Sequence, residues 1–240
     1  MFSYLVPFIN PLIILVGLLS FFYNQEGIAW LFSISLLTIL VSGRVVAKKL
    51  FWRHKLLWFN FITVYVAQLL FLLVLTSGNA RYLLAFVSSA VWGVVWWLLR
   101  TYFQRIENIN SKEFLSYNVF FYTLAFWCLS SSVYSLIVFL NWPVVYTLLG
   151  VLGIAFLWTK EIFDQTDDVG RLYVFFAIFI LAQLLAALYI LPVSFYISGT
   201  IASLWFFFII DSTINKTRNF RLYLSLFLVS FAALIAIAII

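Results

Sequence analysis

The chain has 240 residues, of which 66% are hydrophobic and only 9% are charged. A soluble domain carries roughly 25% charged residues, so this composition excludes a water-soluble enzyme and a nucleic-acid-binding domain. With a single cysteine, Cys128, and a single histidine, His54, the chain can form no intrachain disulfide and no metal site that needs two His ligands. We therefore expect a polytopic membrane protein, and the net charge of +6 needs an explanation at a membrane surface.

Clusters of charged residues divide the chain into apolar stretches. The first four run from Tyr4 to Tyr23, Gly27 to Val46, Leu56 to Thr76 and Tyr82 to Leu99. Each is close to the roughly 20 residues that one spanning helix needs. The uncharged stretches 117–159 and 172–210 are each long enough for two spans. A turn at 141–143, with Pro143 opening the next helix, divides the first, and Leu191-Pro192 divides the second. The run 222–240 gives a ninth span.

The basic residues predict the orientation of these spans, because Lys and Arg concentrate in cytoplasmic loops. All of them except Arg81 fall into four clusters. The clusters are Arg44, Lys48, Lys49, Arg53 and Lys55; Arg100, Arg105 and Lys112; Lys160 and Arg171; and Lys216, Arg218 and Arg221. If the four share one side, the fold is an all-α bundle of nine transmembrane helices, with the N-terminus inside and the C-terminus outside. We expect one transmembrane domain over residues 1–240, in a bacterial or archaeal cytoplasmic membrane.

The predicted span interiors contain no ionisable side chain, which disfavours coupled ion transport and a retinal Schiff base. The deepest strongly polar residues are expected to form interhelical hydrogen bonds; they are Asn10, Asn60, Gln68 and Gln183. The 28 Phe, 13 Tyr and 10 Trp residues, with a cluster at Trp92, Trp96 and Trp97, favour an aromatic belt at the membrane interface. An aromatic-lined groove for a long apolar chain is the alternative.

Four of the eight acidic residues lie within residues 161–168. On a helix that continues out of the membrane, Glu161, Asp164 and Asp168 stand at i, i+3 and i+7 and project from one face. Oxygen ligands of this kind suit Mg²⁺ that is shared with a substrate phosphate, where the ion would assist departure of a diphosphate. The alternative is a solvated inner loop whose acids help to cap the next helix.

The run Lys160-Glu161-Ile162-Phe163-Asp164-Gln165-Thr166-Asp167-Asp168 resembles the second aspartate-rich motif of the UbiA superfamily of intramembrane prenyltransferases, in spacing and in loop position. That family has nine helices with the N-terminus inside, and joins an isoprenoid diphosphate to an acceptor with bound Mg²⁺. The resemblance implies that Asp164 and Asp168 bind the metal, that Glu161 replaces an aspartate as a further metal-binding acid, and that Lys160 contacts the diphosphate.

The first aspartate-rich motif of the family has no counterpart here, since residues 42–50 contain no acid. Arg44 and Lys48 are one helical turn apart in that segment and are able to hold a diphosphate directly. The alternative is that they set the topology or contact anionic lipid. Tyr102 and Arg105 loosely resemble the Tyr and basic residues that the family places after helix four.

These observations support three functional hypotheses. The first is a divergent UbiA-like protein that binds a polyprenyl diphosphate or similar anionic lipid at the cytoplasmic face, with or without transfer of the prenyl group. The second is a non-catalytic multispan protein, such as a lipid-binding protein or a partner subunit of another membrane protein. The third is a permease for an apolar solute, which needs no buried charge. No nucleic-acid partner is expected.

Overall fold

The computed structural model describes residues 2–23, 28–104, 111–164, 171–190 and 194–214. All regular structure in these ranges is helical, which confirms the all-α class. The helices are α1 (Val6–Tyr23), α2 (Ile28–Ala47), α3 (Lys55–Val74), α4 (Gly78–Gln104), α5 (Ser111–Leu140), α6 (Val144–Asp164), α7 (Arg171–Ile190) and α8 (Phe195–Ile214). Short 3₁₀ helices cover Phe2–Tyr4 and Lys48–His54.

The two long uncharged stretches break where the sequence predicts. Between α5 and α6, Asn141 adopts a left-handed φ of 49°. The carbonyl of Pro143 then accepts a hydrogen bond from the Thr147 amide at 3.1 Å, so that α6 begins directly after the proline. The gap between α7 and α8 spans Pro192, although residues 191–193 lie outside the described ranges.

Among the described helices, five are long and apolar enough to cross a membrane. Their candidate spans are Leu50–Val74, Gly78–Phe103, Asn118–Leu140, Val144–Asp164 and Phe195–Ser212. Shorter apolar segments lie in α1, α2 and α7. By length and composition, these helices are compatible with an integral membrane protein. The predicted ninth span, 222–240, falls outside the described residues.

The chain forms two compact units, residues 1–121 and 122–240, with the boundary inside α5. In the first unit, α1 packs against both α2 and α4. The Ser89 hydroxyl of α4 donates to the carbonyl of Pro11 at 2.8 Å, across the α1–α4 contact. Gly93 lies at the same contact, where a Cβ would stand 3.4 Å from Pro11 Cγ, an ordinary van der Waals distance.

Two of the predicted interhelical hydrogen bonds are confirmed in the first unit. Asn10 Nδ2 donates to Ser42 Oγ at 3.0 Å between α1 and α2, and Gln68 Oε1 accepts from Trp92 Nε1 at 2.9 Å between α3 and α4. The prediction is wrong for Gln183, in the second unit. Its side chain is exposed on α7, because an apolar helix gives no indication from its pattern of which side is packed.

The expected interfacial belt is also wrong for Trp92 and Trp96, which are fully buried. Trp96 stacks on Trp58 with ring centroids 6.2 Å apart, and Trp92 packs edge-on against Phe61 at 5.4 Å. Trp97 is 55% exposed. Residues 92 and 96 are one turn apart and share the packed side of α4, whereas residue 97 is turned about 100° away.

In the second unit, α7 packs against α6 and α8, and α5 contacts each of the other three helices. Tyr134 of α5 donates its hydroxyl hydrogen to the carbonyl of Leu185 in α7 at 2.8 Å. Against α8 the approach is so close that a Cβ on Gly199 would lie 1.9 Å from Ser131 Oγ. Contact with α6 is made by aromatic rings and by Glu161, described below.

Candidate functional site

The basic segment of the first unit, residues 44–55, begins where α2 ends. Ala47 is the last residue of α2, and Lys48 has a left-handed φ of 50°. The expectation that Arg44 and Lys48 share one helical face is therefore wrong, because the chain turns between them. Both side chains are nevertheless exposed.

An aromatic stack anchors the basic segment to the helices. Phe51 and Trp58 lie face to face with centroids 5.3 Å apart, and Trp58 Nε1 donates to the carbonyl of Phe51 at 3.0 Å. Gly43 lets α2 approach this stack, since a Cβ there would stand 2.8 Å from the Trp58 ring. The Arg44 guanidinium lies 6.0 Å from the Phe51 ring centroid, so the exposed bases project from a backbone that is held in place.

The basic segment carries more charge than the described part of the first unit balances, since Glu113 of α5 is the one acidic residue there. Residues 2–23 and 28–104 contain no acidic side chain. Four of the segment's basic side chains are exposed, namely Arg44, Lys48, Arg53 and Lys55. A surface of this kind repels a metal cation and attracts an anion.

An apolar groove runs between α1 and α2 next to the basic segment. Its first part has a volume of about 400 Å³, and a second part of about 290 Å³ continues it towards Gly17. Ile13 and Ile34 line both parts. The lining is aliphatic rather than aromatic, and it ends at Val45, adjacent to Arg44. The groove offers a place for an apolar chain whose headgroup lies on the bases.

The acidic segment of the second unit, residues 160–168, contains both exposed and buried side chains among its described residues. Lys160 and Asp164 are exposed in the last turns of α6, whereas Glu161 is only 5% exposed. The expectation that Glu161 and Asp164 project together into solvent is therefore wrong. Residues three apart are offset by about 60° around a helix, and here the edge of the packed side passes between them. Asp168 lies outside the described residues.

Glu161 is joined to α5 by a hydrogen bond that the sequence analysis did not foresee. Its carboxylate accepts a hydrogen bond from the Tyr122 hydroxyl. The Tyr122 ring stacks on Trp158 with centroids 5.5 Å apart and planes inclined by 12°. Glu161 lies three residues from the end of the candidate span Val144–Asp164, outside the uncharged stretch 117–159. Tyr122 is the residue that could have indicated this contact, because a buried tyrosine hydroxyl normally has a hydrogen-bond partner.

The remaining predicted site residues of the first unit are Tyr102 and Arg105, and the structure describes the first of them. Tyr102 is half-buried, with its ring edge-on to Phe103 at 5.2 Å. Arg105 lies outside the described residues. Among the described residues, no three His, Cys, Asp or Glu side chains lie close enough to hold a metal ion together. Binding of Mg²⁺ by Asp164 and Asp168 stays a prediction that depends on the undescribed residue.

Comparison with models of protein families, with curated proteins and with solved structures finds no match to this chain.

Proposed function

We propose that this protein binds an anionic long-chain lipid, a polyprenyl diphosphate or a similar amphiphile, at the cytoplasmic end of the first unit. The observation that carries the proposal is the adjacency of the two features described above. An exposed basic segment without acidic partners among residues 2–23 and 28–104 lies beside an open aliphatic groove. One feature suits an anionic headgroup and the other suits an apolar chain.

The dimensions support an amphiphile rather than a small anion. From Val6 to Val16, α1 borders the groove over ten residues, which is about 15 Å of helix at 1.5 Å per residue. Lipid tails are already out of water and as apolar as the groove, so a chain lying along it contributes van der Waals packing that a free phosphate lacks.

Neutralising Arg44 and Lys48 together, as Arg44→Gln with Lys48→Gln, tests the proposal. We expect retention of a polyprenyl diphosphate or an anionic lipid by the purified protein to fall several-fold, because two of the exposed cations are lost. Added salt should weaken binding to the unchanged protein as well. Lipid retention measured by native mass spectrometry reports both effects.

The matched control removes two other basic charges, Lys216→Gln with Arg218→Gln, and should leave retention unchanged. Equal retention by the Arg44/Lys48 variant and the unchanged protein would reduce the basic segment to a topology signal. The protein would then be better regarded as a non-catalytic partner subunit or a permease.

The proposed topology has nine spans, with the N-terminus inside and the basic segment in the cytoplasm. In a Cys128→Ser background, single cysteines at Glu26 and Asn141 should react with a membrane-impermeant thiol reagent added from outside. Cysteines at Lys112, Asp167 and Lys216 should react only after the membrane is permeabilised. Labelling of both sets from the same side would contradict the arrangement.

Prenyl transfer with Mg²⁺ is the second candidate function. It is favoured by the exposure of Lys160 and Asp164, one turn apart at the end of α6, as the resemblance to the UbiA superfamily implies for the diphosphate contact and the metal ligand. Asp164 together with Asp168 would share the ion with the diphosphate, and Glu161 takes no part while it is bonded to Tyr122.

The variant Asp164→Asn with Asp168→Asn tests this second candidate. We expect it to lose Mg²⁺-dependent binding or transfer of a prenyl diphosphate and to keep its folding, because an isosteric change at an exposed Asp164 costs little stability. The comparison needs matched magnesium and chelator, with and without the prenyl diphosphate. If the unchanged protein shows no magnesium dependence in either condition, the acidic segment is a solvated, helix-capping loop.

A further inference from the structure

The apolar groove between α1 and α2 is closed at its deep end. A Cβ on Gly17 would collide with Ser35 Oγ and would lie 3.0 Å from the Tyr65 hydroxyl, so the two helices meet there with no room for a further side chain. Gly17 and Ser35 both line the second part of the groove. The groove therefore has a floor, and its depth can be compared with that of a bilayer.

This floor lies about one leaflet away from the end of α1 that adjoins the basic segment. Gly17 is eleven residues from Val6, where α1 begins, which is about 16 Å at 1.5 Å per residue. Half of the roughly 30 Å hydrocarbon thickness is about 15 Å. The Arg100 guanidinium lies 3.6 Å from the ring centroid of Tyr4, just before α1. Since Arg100 is near the end of the candidate span Gly78–Phe103, the start of α1 is level with the end of that span.

The groove is open along its side. Leu12, Leu37 and Val41 line it, and each is 59–60% exposed. The hydroxyl of Thr38, also in the wall, donates to the carbonyl of Ile34 at 2.7 Å and so is already paired. Exposed aliphatic side chains of this kind are as apolar as lipid tails, so a tail of a neighbouring lipid can enter the groove sideways.

We infer that the groove holds one tail of an anionic glycerophospholipid, taken sideways from the leaflet next to the basic segment. This inference rests on the function proposed above and narrows its ligand. A phospholipid tail is as long as the leaflet that it forms, so it reaches from the bases near the groove's end at Val45 to the floor at Gly17. The anionic headgroup is complementary to the exposed bases, because residues 2–23 and 28–104 contain no acid. A long polyprenyl chain exceeds this depth, and its surplus would leave the groove.

Two variants fill the groove and leave the basic segment unchanged. Ile13→Trp enlarges a residue that lines both parts, and Thr38→Phe enlarges a partly exposed residue of the wall. Leu83→Trp is the matched control, because Leu83 is exposed on α4 and does not line the groove. Each protein is reconstituted in vesicles of phosphatidylcholine with phosphatidylglycerol, and the lipid that it retains is measured by native mass spectrometry. Circular dichroism checks the folding of each variant.

We expect the unchanged protein to retain phosphatidylglycerol in preference to phosphatidylcholine. Ile13→Trp and Thr38→Phe should each lower the retention of phosphatidylglycerol several-fold, because the added rings occupy the space of the tail, whereas Leu83→Trp should not. An equal concentration of undecaprenyl diphosphate should displace little of the phospholipid from the unchanged protein.

The outcomes separate this inference from the proposed function. Loss of phosphatidylglycerol from the Arg44→Gln/Lys48→Gln variant, with full retention by the groove variants, would overturn the inference and leave the proposed function standing. Displacement of the phospholipid by undecaprenyl diphosphate would do the same. Unchanged retention in the basic-segment variant and the groove variants alike would overturn both. Should Ile13→Trp fail to fold, Thr38→Phe decides the matter.

Discussion

A Gly199→Leu variant is expected to lose the packing of α8 against α5 and to denature at a much lower temperature than the unchanged protein. A Cβ at position 199 would lie 1.9 Å from Ser131 Oγ and 2.9 Å from the Ser131 backbone nitrogen. The hydroxyl can rotate, but the backbone of α5 has to move as a helix. Overpacking of this kind costs about 1–3 kcal/mol and sometimes more, and leucine adds three carbons beyond the Cβ. Thermal denaturation in detergent, followed by circular dichroism, measures the loss.

Gly153 supplies a matched control in the same unit, because a Cβ there meets nothing within 4 Å. Gly153→Leu should leave the denaturation temperature close to that of the unchanged protein. Ser131→Gly in the Gly199→Ala background should restore part of the stability, since it removes the nearest contacting atoms. Equal losses in Gly199→Leu and Gly153→Leu would show that the α5–α8 approach does not limit stability.

A Tyr122→Phe variant is expected to destabilise the second unit by about 1.5–3 kcal/mol, the range for losing a hydrogen bond to a charged group. The change removes the hydroxyl that donates to the buried carboxylate of Glu161 but keeps the ring that stacks on Trp158. The effect therefore reports on the hydrogen bond rather than on the packing. The free energy of unfolding, from denaturant titration in detergent, is the quantity to measure.

Tyr146→Phe is the control, because Tyr146 is 77% exposed on α6 and its loss of a hydroxyl should change the free energy of unfolding very little. A double-mutant cycle with Glu161→Gln separates the pair from its surroundings. Tyr122→Phe should cost less in the Glu161→Gln background, where the acceptor is neutral. An equal cost in both backgrounds would mean that the charge of Glu161 adds nothing to the bond, because the amide oxygen introduced by Glu161→Gln still accepts it. A cost of Tyr122→Phe no larger than that of Tyr146→Phe would mean that the bond does not stabilise the fold.

The resemblance to the UbiA superfamily rested on the spacing of residues in the acidic segment. The structure gives Glu161, one of those residues, a different contact from the one that the spacing implied. Glu161 stands where the resemblance implied a metal-binding acid, yet it accepts a hydrogen bond from Tyr122 inside the second unit. Of the described charged residues in this segment, Lys160 and Asp164 keep the exposed positions that a diphosphate or metal contact needs. The enzymatic hypothesis therefore depends on the magnesium experiment on Asp164 and Asp168.

The sequence by itself determined the helical class and two of the breaks between helices. Apolar stretches of about 20 residues each predict a helix, and the prolines at 143 and 192 interrupt the long uncharged runs. Both signals are local. The absence of acids from residues 42–55 is also a property of the sequence, and it predicts that this segment attracts an anion rather than a metal.

Only the tertiary structure decided which side of each helix is packed. In a membrane helix that is apolar all round, the hydrophobic pattern has no polar face to mark the outside. Trp96 and Trp97 are adjacent in sequence, yet the first is buried against Trp58 and the second is exposed. Glu161 and Asp164 separate in the same way, as helix packing in one unit brings Tyr122 to one carboxylate and leaves the other outside. Contacts of this kind join residues far apart in the chain, and the local pattern does not contain them.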